Sequence, residues 1–247
     1  PAGTLAPTPT AAVSFATQTS FRVGNGPRAL VFDGENIWVA IAGDDAVIKL
    51  RASDGTILDA FPVGESHRAL ALDGQSMWVA NTEADTMTKL SLEGTVLGTF
   101  AVGDGPIGLE VEGANIWVVS NGEQTVSKVR RADGVVLLTI NVENPGSVIF
   151  DGDHIWVATE REGRITKIRA SDGLMLGEFT VPGDPRGLAF DGQYIWVTDF
   201  VGSGISKLGA DGTIAGTFPV GLGEGPEAVA FDGTNFWVAS SLSNFVT

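Results

Sequence analysis

At 247 residues, with 30 acidic against 15 basic side chains and a formal charge of −15, the chain is long enough for one or two domains with a sizeable core. A field of that sign repels phosphate backbones and anionic lipid, which sets aside nucleic acid and membrane surfaces as partners, and no apolar run reaches the ~18–20 residues of a membrane helix. The absence of cysteine excludes disulfides, thiolate zinc sites and cysteine nucleophiles, while 43% hydrophobic residues with 33 Gly and 11 Pro suit a turn-rich β protein rather than a disordered chain.

The chain opens on residues 1–11, whose Pro/Thr/Ala bias is that of a linker or stalk remnant. It starts at Pro1 without a Met, and we expect a processed piece of something longer. Residues 12–24 follow and end in Phe21-Arg22-Val23-Gly24, a Phe-x-Val-Gly pattern that returns at Phe61 to Gly64 and at Phe218 to Gly221.

From there the sequence repeats. All six Trp stand in one motif, IWVA at Trp38, MWVA at Trp78, IWVV at Trp117, IWVA at Trp156, IWVT at Trp196 and FWVA at Trp237, with spacings of 40, 39, 39, 40 and 41. A period of that size is that of a propeller blade. The second unit shows the plan: apolar runs at Arg68 to Leu72 and Met77 to Asn81, then Thr86 to Ser91 and Thr95 to Val102, separated by Asp73-Gly74, a polar loop and Glu93-Gly94. Acidic-Gly pairs recur at the first hairpin of all six units and the second hairpin of five, as tight antiparallel turns require.

The first two strands of each unit are apolar on both faces and should be buried between blades. The third carries Lys49, Lys89, Lys128, Lys167 or Lys207, whose stems are expected to cover apolar surface while the ammonium stays wet. The sixth unit stops at Thr247 without a fourth strand, and residues 12–24 are predicted to supply it. The expected fold is thus an all-β, six-bladed propeller of four-stranded antiparallel blades over residues 12–247, its ring closed by the N-terminal strand so that no sheet edge is left open.

The segment VANTEADTMTKLSLEGTVLGTFAVGDGPIGL (Val79 to Leu109) resembles the repeat of the YVTN and NHL propeller group, and the run from each Trp to the next Lys is similar to the streptogramin (virginiamycin B) lyase family. The lyase resemblance implies catalysis by His and Glu around a magnesium ion at the channel mouth, with histidines that follow a Pro at the start of an inner strand. The matching positions here are Arg28, Arg68, Ile107, Gly146, Arg186 and Glu227, none of them His.

Loops joining outer to inner strands converge at one end of a propeller, where sites usually lie. The ring of six residues above is therefore the first candidate. Its three arginines could hold a carboxylate or other anion by forked hydrogen bonds, or could form an ion-pair belt with Glu227, which stands between Arg186 and Arg28 in the ring. A second layer follows the Trp motifs: Ile41, Asn81, Ser120, Thr159, Asp199 and Ser240. Asp199, expected beside Arg186, matches a family position often occupied by Glu and is the carboxylate to consider for a base or for magnesium or calcium, although one carboxylate does not satisfy a hard cation. His67 is read as a loop residue that caps backbone or touches ligand; the six Trp are read as core rather than a sugar-stacking set; Gly43-Asp44-Asp45 and Glu160-Arg161-Glu162 are read as solvated surface.

These readings favour a non-enzymatic binding module for a small anionic ligand or protein segment, with Arg28, Arg68, Arg186, Glu227, Asp199, Asn81 and His67 as candidate contacts and no resident cofactor. A magnesium-dependent lyase or hydrolase and a purely structural scaffold are the alternatives. The chain is expected to be monomeric, and extracellular, displayed at the cell surface or periplasmic.

Overall fold

The structure, a computed structural model, describes residues 19–63, 67–220 and 225–247. Each Trp-centred unit folds into four antiparallel strands, and the units make six four-stranded sheets. Numbered in chain order, the blades begin with inner strands Pro27–Phe32, His67–Leu72, Pro106–Glu112, Pro145–Phe150, Pro185–Phe190 and Pro226–Phe231. In the second blade the strands are His67–Leu72, Ser76–Asn81, Thr86–Ser91 and Val96–Ala101, within a residue of the sequence reading at each end. Inner strands of successive blades lie side by side, and that of blade 6 lies beside that of blade 1, so the ring is closed.

Closure uses the expected strand. Phe21–Arg22 takes the outermost place in blade 6, with Phe21 opposite Val246 and Arg22 opposite Phe245. The Gly26 N–H donates to Asn244 Oδ1 at 2.8 Å, fastening the start of blade 1 to the last turn of blade 6. Phe21 stacks on Trp237 with centroids 6.1 Å apart, as Phe61 stacks on Trp38 at 5.4 Å. The linker reading of residues 1–11 and the first part of the closing strand, 12–18, lie outside the described residues.

The recurring acidic residue before the first-hairpin Gly does more than turn the chain. In blade 1, Asp33 Oδ1 accepts the backbone N–H groups of Glu35 and Asn36 at 2.9 and 2.7 Å while Oδ2 accepts the Trp38 indole N–H at 2.7 Å. The same indole-to-carboxylate bond joins Trp78 to Asp73, Trp117 to Glu112, Trp156 to Asp151, Trp196 to Asp191 and Trp237 to Asp232. One carboxylate thereby satisfies two backbone donors and a buried indole, groups whose burial would otherwise be costly.

The five lysines complete this unit, and one of them differs from expectation. Their ammonium groups lie over the indoles, Lys49 at 4.8 Å from the Trp38 ring centroid and Lys167 at 4.7 Å from that of Trp156. Lys128 is buried: it pairs with Glu112 Oε2 at 2.6 Å and donates to the Ala170 carbonyl of blade 4 at 2.9 Å. The expectation of a wet ammonium is corrected there, because the neighbouring blade and Glu112 replace water.

Apolar burial is divided among six clusters, one at each blade boundary. At the boundary of blades 4 and 5, for instance, Trp156 and Ile165 meet Leu188, Ile195 and Leu208. The indoles are core, with Trp78, Trp117 and Trp156 showing no exposed surface. Each boundary buries its own apolar set, so blade geometry is fixed locally around the whole ring.

Candidate binding site at the channel mouth

Every inner strand starts with a register irregularity. In blade 1 Pro27 pairs with Ile41 and Ala29 with Ala40, leaving Arg28 as an extra residue. The same two-against-one geometry falls on Arg68, Ile107, the Gly146-Ser147 pair, the Arg186-Gly187 pair and Glu227. Such bulges bend a strand and re-aim a side chain. All six ring residues predicted from the repeat line the central channel, a cavity of about 530 Å³ bounded by all six inner strands.

The ring arginines divide into two kinds. Arg28 Nη1 lies 2.8 Å from Glu227 Oε1, and Arg186 Nη1 lies 3.6 Å from the same oxygen. Arg186 also meets Glu160 Oε2 at 3.3 Å and Asp184 Oδ2 at 3.0 Å, with its guanidinium 4.7 Å from the Phe200 ring centroid. Arg68, by contrast, is exposed at the mouth and forms no ion pair among the described residues; its charge reaches Glu160 only through space.

Glu160 enters this network because Gly146 has no side chain. A β-carbon at Gly146 would stand 2.8 Å from Glu160 Oε1, so the carboxylate occupies the blade 4 place in the ring that Gly146 leaves open. Burial raises the Glu160 pKa and Arg186 opposes the rise, with Glu227 and Asp184 adding to it. The reading of Glu160-Arg161-Glu162 as solvated surface is corrected for Glu160, which faces the channel and the recess above it.

That recess, about 310 Å³, lies over blades 2 to 5 and is lined by Arg68, Arg161, Arg186, Asn121, Asn144 and Glu160 among others. Arg161 is exposed, sits at φ 65°, and holds its backbone N–H on Asp184 Oδ1 at 2.7 Å, while its guanidinium forms no ion pair among the described residues. A non-glycine residue at such φ is fixed by its surroundings, here Asp184. Arg161, Glu160 and Asp184 were missed from sequence. The Gly at a ring position otherwise filled by long side chains was the available signal for Glu160; nothing local marked the other two.

The remaining predicted contacts lie elsewhere. His67 has no exposed surface, because the bulge turns Arg68 to the mouth and His67 toward blade 1, where Nε2 lies 3.0 Å from the Ala46 carbonyl oxygen. Asn81 is buried and donates to the hydroxyls of Thr86 and Thr88. Asp199 Oδ1 accepts the N–H groups of Asp184, Val201 and Gly202 at 3.1, 3.1 and 2.9 Å. It forms no ion pair with Arg186; instead it braces the loop that brings Asp184 to Arg186. None of the three lines the channel or the recess above it: His67 and Asp199 are engaged by their own scaffold, and Asn81 is buried in its blade, its Oδ1 without a hydrogen-bond partner among the described residues.

Magnesium or calcium would need several free oxygen ligands. The mouth carboxylates Glu227, Glu160 and Asp184 each face an arginine, and no group of three or more His, Asp or Glu among the described residues is placed to hold a metal. The residues present do not fit such an ion.

The sequence matches no protein-family model and no curated protein. Solved structures do resemble it. Virginiamycin B lyase from Staphylococcus aureus aligns with a TM-score of 0.69 at 18% identity, over 90% of this chain and 81% of that one. A streptogramin B lyase structure aligns at 0.70 and 19% identity, over 90% and 80%. Kuenenia stuttgartiensis hydrazine synthase aligns at 0.69 and 16%, over 95% and 97%. The chain is a streptogramin lyase-like propeller in fold, and neighbours of such different names share that fold alone.

Proposed function

We propose that the protein is a binding propeller whose ligand is a small carboxylate or related anion, held in the mouth recess by Arg68 and Arg161. The observation that carries this reading is the contrast between the arginines at the mouth: the ring residues Arg28 and Arg186 are engaged by Glu227, Glu160 and Asp184, whereas the ring residue Arg68 and the loop residue Arg161 border one recess without a carboxylate partner among the described residues. A guanidinium presents forked donors that match a carboxylate, and Asn121 borders the same recess with further polar atoms. The engaged half of the ring acts as the rigid wall, so binding there would need little reorganisation.

Titration calorimetry with a series of monocarboxylates tests this. Arg68→Ala and Arg161→Ala are each expected to weaken the tightest carboxylate about tenfold or more, a loss of about 1.4 kcal/mol, whereas Arg51→Ala, at the end of the third strand of blade 1 and outside the channel lining, leaves it unchanged. Equal affinity in all three variants would overturn the reading.

A further inference from the structure

Below the mouth the inner strands line the channel mainly with aliphatic side chains, and the paired Asp73 and Arg131 also border it. Three residues after each ring position stand Val31, Ala71, Glu110, Ile149, Ala189 and Ala230, of which Val31, Ala71, Glu110 and Ile149 line the channel, so one carboxyl stands at an otherwise apolar level of the repeat. Glu110 Oε1 accepts the Phe150 N–H of blade 4 at 3.3 Å, a long bond to the channel-side edge of the neighbouring inner strand. The Leu188 N–H is met in the same way by Ser147 Oγ at 3.1 Å, so a hydroxyl suffices for that task. Nothing structural requires a carboxyl at Glu110.

The groups around Glu110 leave its charge unanswered. The inner strand of blade 4, Pro145–Phe150, carries no charged residue, nor does the second strand of its own blade, Asn115–Ser120. On its own strand Glu112 is paired with Lys128. On the inner strand of blade 2, His67 is turned to Ala46 and Arg68 is at the mouth. Arg131 also lines the channel but is held by Asp73 at 2.8 Å. Desolvation therefore pushes the Glu110 carboxyl up to about 8, with only the Phe150 N–H acting against it. A half-buried acid without a cationic partner, lining a cavity, is the pattern of a ligand-binding group.

The spacing to the mouth defines what would reach both ends. Three strand residues separate the ring level of Arg68 from that of Glu110, or roughly 10 Å at about 3.3 Å per residue. An extended peptide of three residues covers about the same length. The cavity volume of about 530 Å³ falls within the ordinary range for small-molecule sites.

We propose that the channel holds a short linear zwitterion lengthwise, its carboxylate on Arg68 and Arg161 and its ammonium on Glu110. This rests on the mouth site described under the proposed function and adds the class of ligand. At neutral pH the arriving ammonium meets a protonated carboxyl; ion pairing ionises it and the proton leaves to solvent, so ligand uptake releases a proton. A channel partly withdrawn from bulk water strengthens such a pair relative to one in free solution.

Triglycine, N-acetyltriglycine and triglycine amide are the probes, titrated calorimetrically at pH 7 in two buffers of different ionisation enthalpy. Triglycine is expected to bind about tenfold or more tighter than N-acetyltriglycine and to release close to one proton. Glu110→Gln should bring triglycine to the level of N-acetyltriglycine, leave the latter unchanged and abolish proton release. If both carboxylates bind equally and neither releases a proton, the zwitterion inference falls while the mouth site stands. If neither carboxylate binds, both fall. Should Glu110→Gln fail to fold, the wild-type comparison of free and acetylated amine, with its proton count, decides alone.

Discussion

Glu160 of blade 4 faces Arg186 of blade 5 across the blade boundary, Oε2 3.3 Å from Nη1, in the space that the missing side chain of Gly146 leaves. Arg186 is shared by Glu160, Asp184 and Glu227, so removing it takes the ion-pair partner from Glu160 and Asp184 and leaves Glu227 to Arg28 alone. Arg186→Ala is therefore expected to destabilise the fold by about 2 kcal/mol, less than for a fully buried pair because the mouth admits water. Arg68→Ala, with no ion pair to lose, should stay within about 0.5 kcal/mol of wild type. Urea unfolding of the two variants checks this contrast; equal losses would contradict the division of the ring into engaged and available arginines.

The two kinds of hairpin glycine should respond differently to one methyl group. Gly192, at φ +92° in the first hairpin of blade 5, faces open space, so Gly192→Ala costs only the positive-φ penalty of about 1–2 kcal/mol. Gly212, at φ +83° in the second hairpin, carries the Phe179 ring of blade 4 directly against it. Gly212→Ala must also displace that ring, for a total of about 3 kcal/mol or more. Thermal unfolding of the pair measures the difference.

Acid sensitivity follows from the carboxylate clamps. Burial raises the pKa of Asp33, Asp73, Asp151 and Asp232, but the indole and backbone donors of each outweigh it and leave all four below the ordinary value of 3.8. A depressed folded-state pKa gives stability that is complete above the unfolded value and is lost as pH falls through the folded one. The protein should thus lose stability steeply below about pH 4. Asp33→Ala should cost about 2–3 kcal/mol at pH 7 and reduce that acid slope. An unchanged slope would show that the clamp at Asp33 does not set it.

Glu110 produces the opposite trend at higher pH. Its folded pKa of about 8 lies above the unfolded value of 4.5, so the native state holds the extra proton between them and stability falls as pH rises across that window. Glu110→Gln should flatten the curve between pH 5 and 8, read by urea midpoints in the absence of ligand. Parallel curves for variant and wild type would mean that Glu110 ionises freely.

The ring itself was legible because six Trp motifs fix the period, and a fixed period carries each bulge residue to the same place. What surrounds the ring was not. His67 and Arg68 are adjacent in sequence, yet the bulge sends one into the wall and the other into the mouth, a choice set by register rather than by residue type. Asp199 looked like a free carboxylate but serves three backbone N–H groups, and Asp184, an unremarked loop residue, makes the bond to Arg186 instead. Glu160 belonged to a charged run of ordinary appearance; its role depends on a gap at Gly146, on the inner strand of its own blade fourteen residues earlier. Charge pairing at a ring of converging loops is a tertiary property, and single-blade periodicity does not contain it.

The most direct test of the mouth site is a crystal structure of the protein grown with a carboxylate that binds in solution. The carboxylate should sit in the recess over blades 2 to 5 with oxygens within about 3 Å of the Arg68 and Arg161 guanidiniums. A ligand seated instead on Arg28 and Arg186, with their carboxylates displaced, or on the opposite face of the ring, would contradict the account.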